Sequence, residues 1–312
     1  MNGEANGGRG DPLAQVSEAL ADWVAAAAGC VVAVRPARGR PCAGILWRPD
    51  LVVTSEQLLP TEGETGLVLP GGGAEVPARL VGRDPGTNLA LLRPERPGPG
   101  TSLPAPATAP PRPGALALLL GGDEAGGATA RLALVHAVGP AWHSMAGGRI
   151  DRLIRLDARL RGEEGGPVLD AATGGLLGMS TSGPRGRVLV IPVATVERVL
   201  EPLLREGRIP RGWLGVSLQP VAIPEALRGA AGGQDSALMV LGLARGGPAE
   251  AAGVLPGDIL LALDGRPVAQ PRAVAEALGP DRVGQVATLR LLRAGAAQEL
   301  AVTIAARPTA SS

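Results

Sequence analysis

The chain has 312 residues, 45% of them hydrophobic, and a net charge of +1. This length accommodates two or three domains with sizeable cores. The near-zero charge gives no bulk electrostatic case for binding nucleic acid or an anionic membrane. No apolar run approaches the roughly 18–20 residues that span a bilayer, so we expect no membrane span. We also expect no metal and no cofactor, because no cluster of His, Cys, Asp and Glu has the spacing of metal ligands.

The N-terminal sequence and the cysteines bear on location. No basic segment followed by an apolar core precedes the first predicted element, which predicts a cytoplasmic protein. The chain has two cysteines, Cys30 and Cys42. They could face each other across a hairpin, or they could be two small buried thiols. One pair in a chain of this length is no disulfide framework.

The hydrophobic pattern predicts a helix first and short strands afterwards. Apolar residues recur at three- and four-residue steps after Pro12, and later apolar runs are short and broken by Gly/Pro turns, which is typical of a sandwich or small barrel. The expected segments are a disordered terminus (1–11), an N-terminal helix (12–28), a first β unit (29–95), a proline-rich linker (96–115), a second β unit with a closing helix (116–207) and a third unit (211–308). The predicted strands are Val31–Val34, Gly44–Trp47, Leu51–Thr54, Gly66–Leu69 and Leu89–Leu92, then Leu116–Leu120, Leu132–Val138, Leu153–Leu156, Gly175–Met179 and Val188–Ile191.

Four short segments, taken in chain order, carry a resemblance to a known family. Residues 51–59 (LVVTSEQLL) resemble the loop "IVTNAHVV", and residues 82–92 (GRDPGTNLALL) resemble "GRDPxTDLALL". Residues 157–170 (DARLRGEEGGPVLD) resemble "TDA…GNSGGPLVD", and residues 188–200 resemble a tail with "FAIPxxxVxxV". Together they resemble the HtrA/Deg family, trypsin-like serine proteases followed by a PDZ domain. The resemblance implies a mainly β protein with two six-stranded trypsin-like β-barrels and a C-terminal α+β PDZ domain.

The resemblance implies three catalytic positions, and the chain differs from the family at each of them. Gln57 stands at the histidine position, Asn88 at the aspartate position and Glu164 at the serine position. The family mechanism needs a hydroxyl nucleophile, an imidazole that moves its proton and a carboxylate that orients the imidazole. None of the three side chains present supplies its role, so the sequence predicts no catalytic residues and a protein that is not an enzyme but a pseudoprotease.

The loop around Glu164 resembles the family's oxyanion loop, with Gly162, Glu163 and Gly165 at its centre. In the family, backbone amides form this site, here those of Gly162 and Glu164, and backbone donors do not depend on side-chain identity. Three interpretations stay open. The Glu164 carboxylate could fill the site, or the site could bind a peptide carbonyl without cutting it. Alternatively, the loop is only a structural turn held by glycines.

The C-terminal part resembles a PDZ domain. Residues 245–268 (RGGPAEAAGVLPGDILLALDGRPV) resemble the PDZ core "GSPAxxAGLxxGDxIxxIDGxPV". The resemblance implies that the amides of Leu214, Gly215 and Val216 form a nest for the terminal carboxylate of a peptide, whose backbone pairs with the following strand. A helix over 272–278 closes the groove, with Val274, Ala277 or Leu278 facing the ligand.

These observations predict a peptide-binding scaffold, a chaperone-like protein or a regulatory partner of an active HtrA-like relative, with apolar protein or peptide C-termini as ligands. Two alternatives remain. One is a hydrolase with altered chemistry that uses Glu164, and the other is a purely structural assembly subunit. A homo- or hetero-oligomer is left open, because the aromatic contacts through which the family trimerises need Phe or Tyr and the chain has neither. The resemblance also implies the cell envelope as the alternative location.

Overall fold

The computed structural model describes residues 11–60, 63–99, 103–144 and 146–308. The chain divides into two compact units, residues 1–208 and residues 209–312. The expectation of a disordered N-terminal segment falls, apart from Asp11, outside the described residues. In the described part of the chain, no helix is both long enough and apolar enough to cross a membrane.

The first unit begins with helix α1 (Pro12–Ala27), whose N-terminus is marked in the sequence by a capping residue followed by proline. The side chain of Asp11 accepts a hydrogen bond of 3.0 Å from the amide of Leu13, and proline occupies the first helical position. An acidic cap satisfies an amide that the helix itself leaves unpaired, and proline has no amide to satisfy. Leu13 and Val16 remain exposed, and Ala27 is the buried residue of the helix.

The first β-barrel follows α1 and is closed by six antiparallel strands in the order β1-β2-β3-β6-β5-β4. Its interior holds aliphatic side chains together with Cys42. Cys30 and Cys42 are both buried free thiols, and burial raises the pKa of Cys30 to about 12 and that of Cys42 to about 11. The strands are β1 (Val31–Pro36), β2 (Cys42–Arg48), β3 (Leu51–Ser55), β4 (Thr65–Val68), β5 (Val76–Asp84) and β6 (Leu89–Pro94).

The second β-barrel is also closed, in the order β11-β14-β13-β12-β7-β8. Its strands are β7 (Leu116–Gly122), β8 (Ala128–Gly139), β11 (Leu153–Asp157), β12 (Pro167–Asp170), β13 (Leu176–Ser182) and β14 (Val188–Pro192), with a separate pair formed by β9 (Trp142–His143) and β10 (Arg149–Ile150). Helix α2 (Val193–Glu206) then packs against β5, β13 and β14. It ends at Gly207, whose left-handed φ of 71° lets its amide bond the carbonyl of Leu203 at 2.8 Å, as is usual for a helix C-terminus.

The second unit is an antiparallel sheet with short helices. The sheet runs β16-β17-β18-β20-β21, with β19 paired to β18, and β15 pairs separately with β22. The strands are β15 (Gly212–Trp213), β16 (Val216–Ala222), β17 (Ser236–Leu243), β18 (Ile259–Leu263), β19 (Arg266–Pro267), β20 (Val286–Arg293), β21 (Ala296–Thr303) and β22 (Ala305–Ala306), and the helices are α3 (Glu225–Arg228), α4 (Pro248–Ala251) and α5 (Pro271–Ala277).

The predicted fold class is confirmed, because the chain is mainly β and contains two closed six-stranded barrels followed by an α+β unit. Two of the twelve barrel strands were not predicted from the sequence. Strand β5 contains Pro77 and shows no regular alternation of buried and exposed residues, so its pattern does not resemble a strand. Strand β12 has four residues, begins at Pro167 and lies within the segment assigned to the protease-like loop.

Candidate functional site

A polar cluster lies where strands of the two barrels of the first unit approach each other. It consists of Ser55, Gln57, Asn88, Glu164, Thr181 and Ser182. Gln57 lies in the 3₁₀ turn after β3, Asn88 lies just before β6, Glu164 lies in the loop before β12, and the last two residues end β13. The fold therefore brings the three predicted catalytic positions, 57, 88 and 164, into one hydrogen-bonded group.

The turn that presents Asn88 is built by a buried aspartate. The Asp84 carboxylate accepts hydrogen bonds from the amides of Gly86 and Thr87, at 3.1 and 3.0 Å, and from the Thr87 hydroxyl at 2.7 Å. Asn88 follows with a positive φ of 56°, a conformation that asparagine tolerates better than most residues. Its side-chain oxygen accepts from the amide of Gln57 at 2.8 Å, and its side-chain nitrogen donates to Ser55 at 3.0 Å and to Thr181.

The Glu164 carboxylate is the centre of the cluster and is only 8% exposed. Its Oε1 accepts from Gln57 Nε2 at 2.5 Å, from the amide of Ser182 at 3.0 Å and from the Ser55 hydroxyl at 3.2 Å. Its Oε2 accepts from the Ser182 hydroxyl at 2.6 Å. The carboxylate thus has donors at both oxygens, which is the condition for keeping such a group buried.

The neighbouring carboxylate, Glu163, points to a different set of donors. Its Oε1 accepts a hydrogen bond of 2.9 Å from Nε of Arg131 on β8, and a terminal nitrogen of the same guanidinium lies 2.8 Å from Oε1 as an ion pair. Its Oε2 accepts from the amides of Arg161 and Gly162 at 2.8 and 3.2 Å. Burial by itself raises the pKa of the Glu163 carboxyl, but the backbone amides and the guanidinium of Arg131 outweigh burial and hold the pKa below its usual value.

This geometry corrects one sequence-based interpretation of the loop. The Glu164 carboxylate does not fill the predicted oxyanion site, because it faces Gln57 and Ser182. The amide of Gly162, one of the two predicted donors, instead bonds the carboxylate of Glu163. Gly165 has a φ of 88°, and a Cβ there would lie 2.3 Å from the carbonyl oxygen of Ala43. The loop shape therefore requires glycine at this position.

No role was assigned to Thr181 or Ser182 from the sequence. Nothing in the neighbouring sequence distinguishes them from other serine and threonine residues in strands, and neither lies in a recognisable motif. They matter because β13 ends beside the loop that carries Glu164, a proximity created by the pairing of β12 with β13. Only the register of two strands separated by a turn shows that these hydroxyls meet the carboxylate.

In the second unit, strand β16 and helix α5 pack side by side, and the surface between them is called the groove below. Strand β16 lies at one end of the sheet and pairs with β17 on one side, and α5 packs beside β16. The side chains of Val216, Leu218 and Ala277 are half-buried there and pack on the core of the unit. The groove is therefore apolar and has a free strand edge, the two properties that peptide addition to a sheet requires.

In the loop before β16, two backbone carbonyls accept hydrogen bonds from amides of the same unit. The carbonyl of Leu214 accepts from the amide of Ala249 at 2.9 Å, and the carbonyl of Gly215 accepts from the amide of Ala244 at 2.8 Å. In a trans peptide plane the carbonyl and the following amide point in opposite directions. Since both carbonyls point into the unit, the amides of Gly215 and Val216 point away from these partners.

The two helix residues predicted to face a ligand are more buried than the sequence suggested. Val274 is 4% exposed and Leu278 is 7% exposed, and both belong to the same core cluster as Leu214. They form the floor beneath the half-buried side chains of the groove. A direct ligand-facing role for Val274 and Leu278 therefore stays a proposal.

Comparison with known proteins identifies both units. The model of the trypsin-like peptidase domain matches residues 42–179, and the model of the PDZ domain matches residues 212–304. The first match includes residues 57, 88 and 164, and the second includes strand β16 and helix α5. The chain belongs to the HtrA/Deg family.

Relatives and solved structures agree with this assignment. This HtrA/Deg chain is 30% identical over 294 residues to the probable periplasmic serine endoprotease DegP-like of Brucella suis, covering 88% of the chain and 55% of the relative. It is also 30% identical over 265 residues to the protein of that name from Rhizobium meliloti, covering 83% and 51%. The HtrA-type protease AlgWS227A with tripeptide is similar in structure, with a TM-score of 0.71, 27% identity and coverage of 93% and 97%.

The comparison contradicts the prediction that the chain is not an enzyme. The relatives are named serine endoproteases, and their similarity extends over most of the chain. The prediction rested mainly on the side chains at three positions, whereas nucleophile, base and orienting group are roles that other residues of a cleft can fill. The chain spans about half the length of the curated relatives it matches. Their names place them in the periplasm, which supports the cell envelope and not the predicted cytoplasm.

Proposed function

We propose that this HtrA/Deg chain captures the apolar C-terminal segment of a protein or peptide in the groove of its second unit. The peptide adds as a strand to the edge of β16, and its terminal carboxylate accepts from the amides of Leu214, Gly215 and Val216. The observation that carries the proposal is the inward direction of the carbonyls of Leu214 and Gly215. It leaves the amides of Gly215 and Val216 directed away from the partners of these carbonyls, at the start of the edge strand β16.

The groove also accounts for an apolar preference. Residues of β16 alternate between the two faces of the sheet, and Leu218 lies on the face that packs on the core whereas Gln219 is exposed. Alternate side chains of an added peptide would meet the half-buried Val216, Leu218 and Ala277. A structure of the related protein AlgWS227A has been solved with a tripeptide, which is consistent with peptide binding by this fold.

In this role the chain acts as a scaffold, as a chaperone-like holder or as a regulatory partner of the protein whose C-terminus it holds. An active HtrA-like relative is one such partner. The three roles share the same recognition chemistry, so the groove is the part to test first.

The experiment titrates the full chain with fluorescent ten-residue peptides that end in Val or Leu. We expect saturable binding, and we expect at least tenfold weaker binding when the terminal carboxylate is amidated, about 1.4 kcal/mol. Leu218→Glu places a carboxylate in the apolar groove and should abolish binding, whereas Gln219→Glu, on the other face of the same strand, should leave it unchanged. Equal affinity for the free and amidated peptides, or equal effects of the two variants, would refute the proposal.

A further inference from the structure

One hydroxyl–carboxylate pair in the polar cluster has the arrangement of a nucleophile and its base. Ser182 Oγ donates to Glu164 Oε2 at 2.6 Å. In the described part of the chain, Ser182 is the one donor to Oε2, while Oε1 accepts from Gln57, from the amide of Ser182, from Ser55 and, at 3.5 Å, from Thr181. One oxygen of the carboxylate is thus fixed by four donors, and the other faces a hydroxyl alone.

Accessibility separates this hydroxyl from the other serines nearby. Ser55 and Ser180 are 0% exposed, and Ser180 Oγ donates to the carbonyl of Glu163 at 2.5 Å. Ser182, by contrast, is an exposed residue whose hydroxyl contacts a carboxylate that is 8% exposed. Of these three serines, Ser182 is therefore the one that lies at the surface of the cluster.

The orienting group is also present. Gln57 Nε2 bonds Glu164 Oε1 at 2.5 Å and the carbonyl of Ser182 at 3.1 Å, and the Gln57 backbone is bonded to Asn88. Gln57 therefore ties the nucleophile-bearing strand to the carboxylate. A hydroxyl, a base within hydrogen-bond reach and a third group that orients the base make up the general requirement for an activated nucleophile.

We propose that Ser182 and Glu164 form a nucleophile–base pair for acyl transfer from peptides or esters, a function separate from peptide capture in the second unit. Ser182 Oγ attacks the carbonyl carbon, and its proton passes to Glu164 Oε2. The bond to the leaving amine or alcohol breaks, and Glu164 gives that proton to the leaving group. Water then attacks the acyl-serine, its proton passes to Glu164, and Ser182 Oγ recovers the proton as the acid departs.

The bonds of the neighbouring Glu163 carboxylate affect the choice of assay for the Ser182–Glu164 pair. The amide of Gly162, a predicted oxyanion donor, is bonded to the Glu163 carboxylate. Loss of one oxyanion donor costs on the order of 10²–10³ in turnover in known proteases. We therefore choose covalent labelling by a strongly activated electrophile as the readout.

The experiment treats the full chain with a biotin-bearing alkyl fluorophosphonate and maps the adduct by mass spectrometry. In this reaction the bond between Ser182 Oγ and phosphorus forms, the phosphorus–fluorine bond breaks, and fluoride leaves. We expect a single adduct at Ser182, and labelling at least tenfold slower in Ser182→Ala and in Glu164→Gln. The matched control is Ser236→Ala, since Ser236 also donates to a carboxylate, Asp235 at 2.9 Å, but the pair is exposed and lies in the other unit. This variant should be labelled at the wild-type rate.

Three outcomes would overturn the proposal. They are labelling no faster than in the denatured chain, an adduct on another residue, or a wild-type rate in Glu164→Gln. Should Ser182→Ala fail to fold, Ser182→Cys gives the second test. Its introduced thiol should react with iodoacetamide in the folded chain at least tenfold faster than the buried Cys30 and Cys42, and an equal or slower reaction would also refute the assignment.

Discussion

The polar cluster of the first unit and the groove of the second unit treat hydrogen-bonding groups in opposite ways. In the cluster, the chain supplies its own donors to a buried carboxylate, so Glu164 is bonded at both oxygens. In the groove, the carbonyls of Leu214 and Gly215 are satisfied within the unit, and the amides that follow are directed elsewhere. The groove is therefore the better candidate for binding the carboxylate of another molecule, whereas the donors of the cluster are already used by the Glu164 carboxylate.

The largest expected effect tests whether the cluster depends on its internal anion. Glu164→Leu removes the acceptor that Gln57 Nε2, the Ser182 amide and the Ser182 hydroxyl share. We expect the first unit to lose about 2–4 kcal/mol of unfolding free energy. Urea unfolding followed by tryptophan fluorescence measures it. The control is Glu197→Leu, an exposed position of helix α2, and equal losses in both variants would show that the cluster has no special weight.

An intermediate effect concerns the second carboxylate of the loop and its pH dependence. Arg131→Met removes the ion-pair partner of Glu163, whose side chain is 8% exposed. We expect the free energy of unfolding to fall by about 2 kcal/mol at neutral pH. This is less than for a fully buried pair, because the arginine side chain is 36% exposed and solvent screens the interaction. Since the folded pKa of Glu163 is lowered from 4.5, its stabilisation is present above that value and is lost as the pH falls through the folded pKa.

The stability difference between wild type and Arg131→Met should therefore be largest at neutral pH and should shrink in acid. Unfolding curves at a series of pH values measure this trend. The control is Arg205→Met, which breaks an exposed pair with Glu206 and should cost about 0–1 kcal/mol. A gap that widens on acidification would contradict the sign derived for Glu163.

The smallest expected effect tests whether the loop before β16 (residues 214–216) takes part in peptide binding. Gly215 has a left-handed φ of 76°, and a Cβ there would lie 3.3 Å from the ring of Trp213. We expect Gly215→Ala to cost about 1–2 kcal/mol of unfolding free energy in the second unit and to weaken peptide binding. Gly242→Ala is the matched control, because Gly242 has no positive φ and its Cβ would meet open space. Equal stability and affinity in the two variants would remove the loop from the proposed carboxylate site.

The helix start at Asp11 and the barrel strands that are continuous aliphatic runs could be predicted from the sequence, because local periodicity and capping need no knowledge of distant residues. The fold class was predicted from the resemblance of short segments to the HtrA/Deg family and not from periodicity. Strand β5 escaped prediction because Pro77 and an irregular burial pattern disguise it. Its place is fixed by pairing with β4 and β6, which is a non-local interaction.

The hydrogen-bond partners of the two adjacent glutamates depend on the tertiary structure. The sequence places Glu163 and Glu164 side by side, yet Glu163 is bonded to Arg131 on β8 and Glu164 to Ser182 on β13. These partners lie 32 and 18 positions away along the chain. The closure of the second barrel brings them to the loop. The physical reason is that a buried carboxylate is oriented by the donors that the fold brings within reach, and those donors are set by strand pairing.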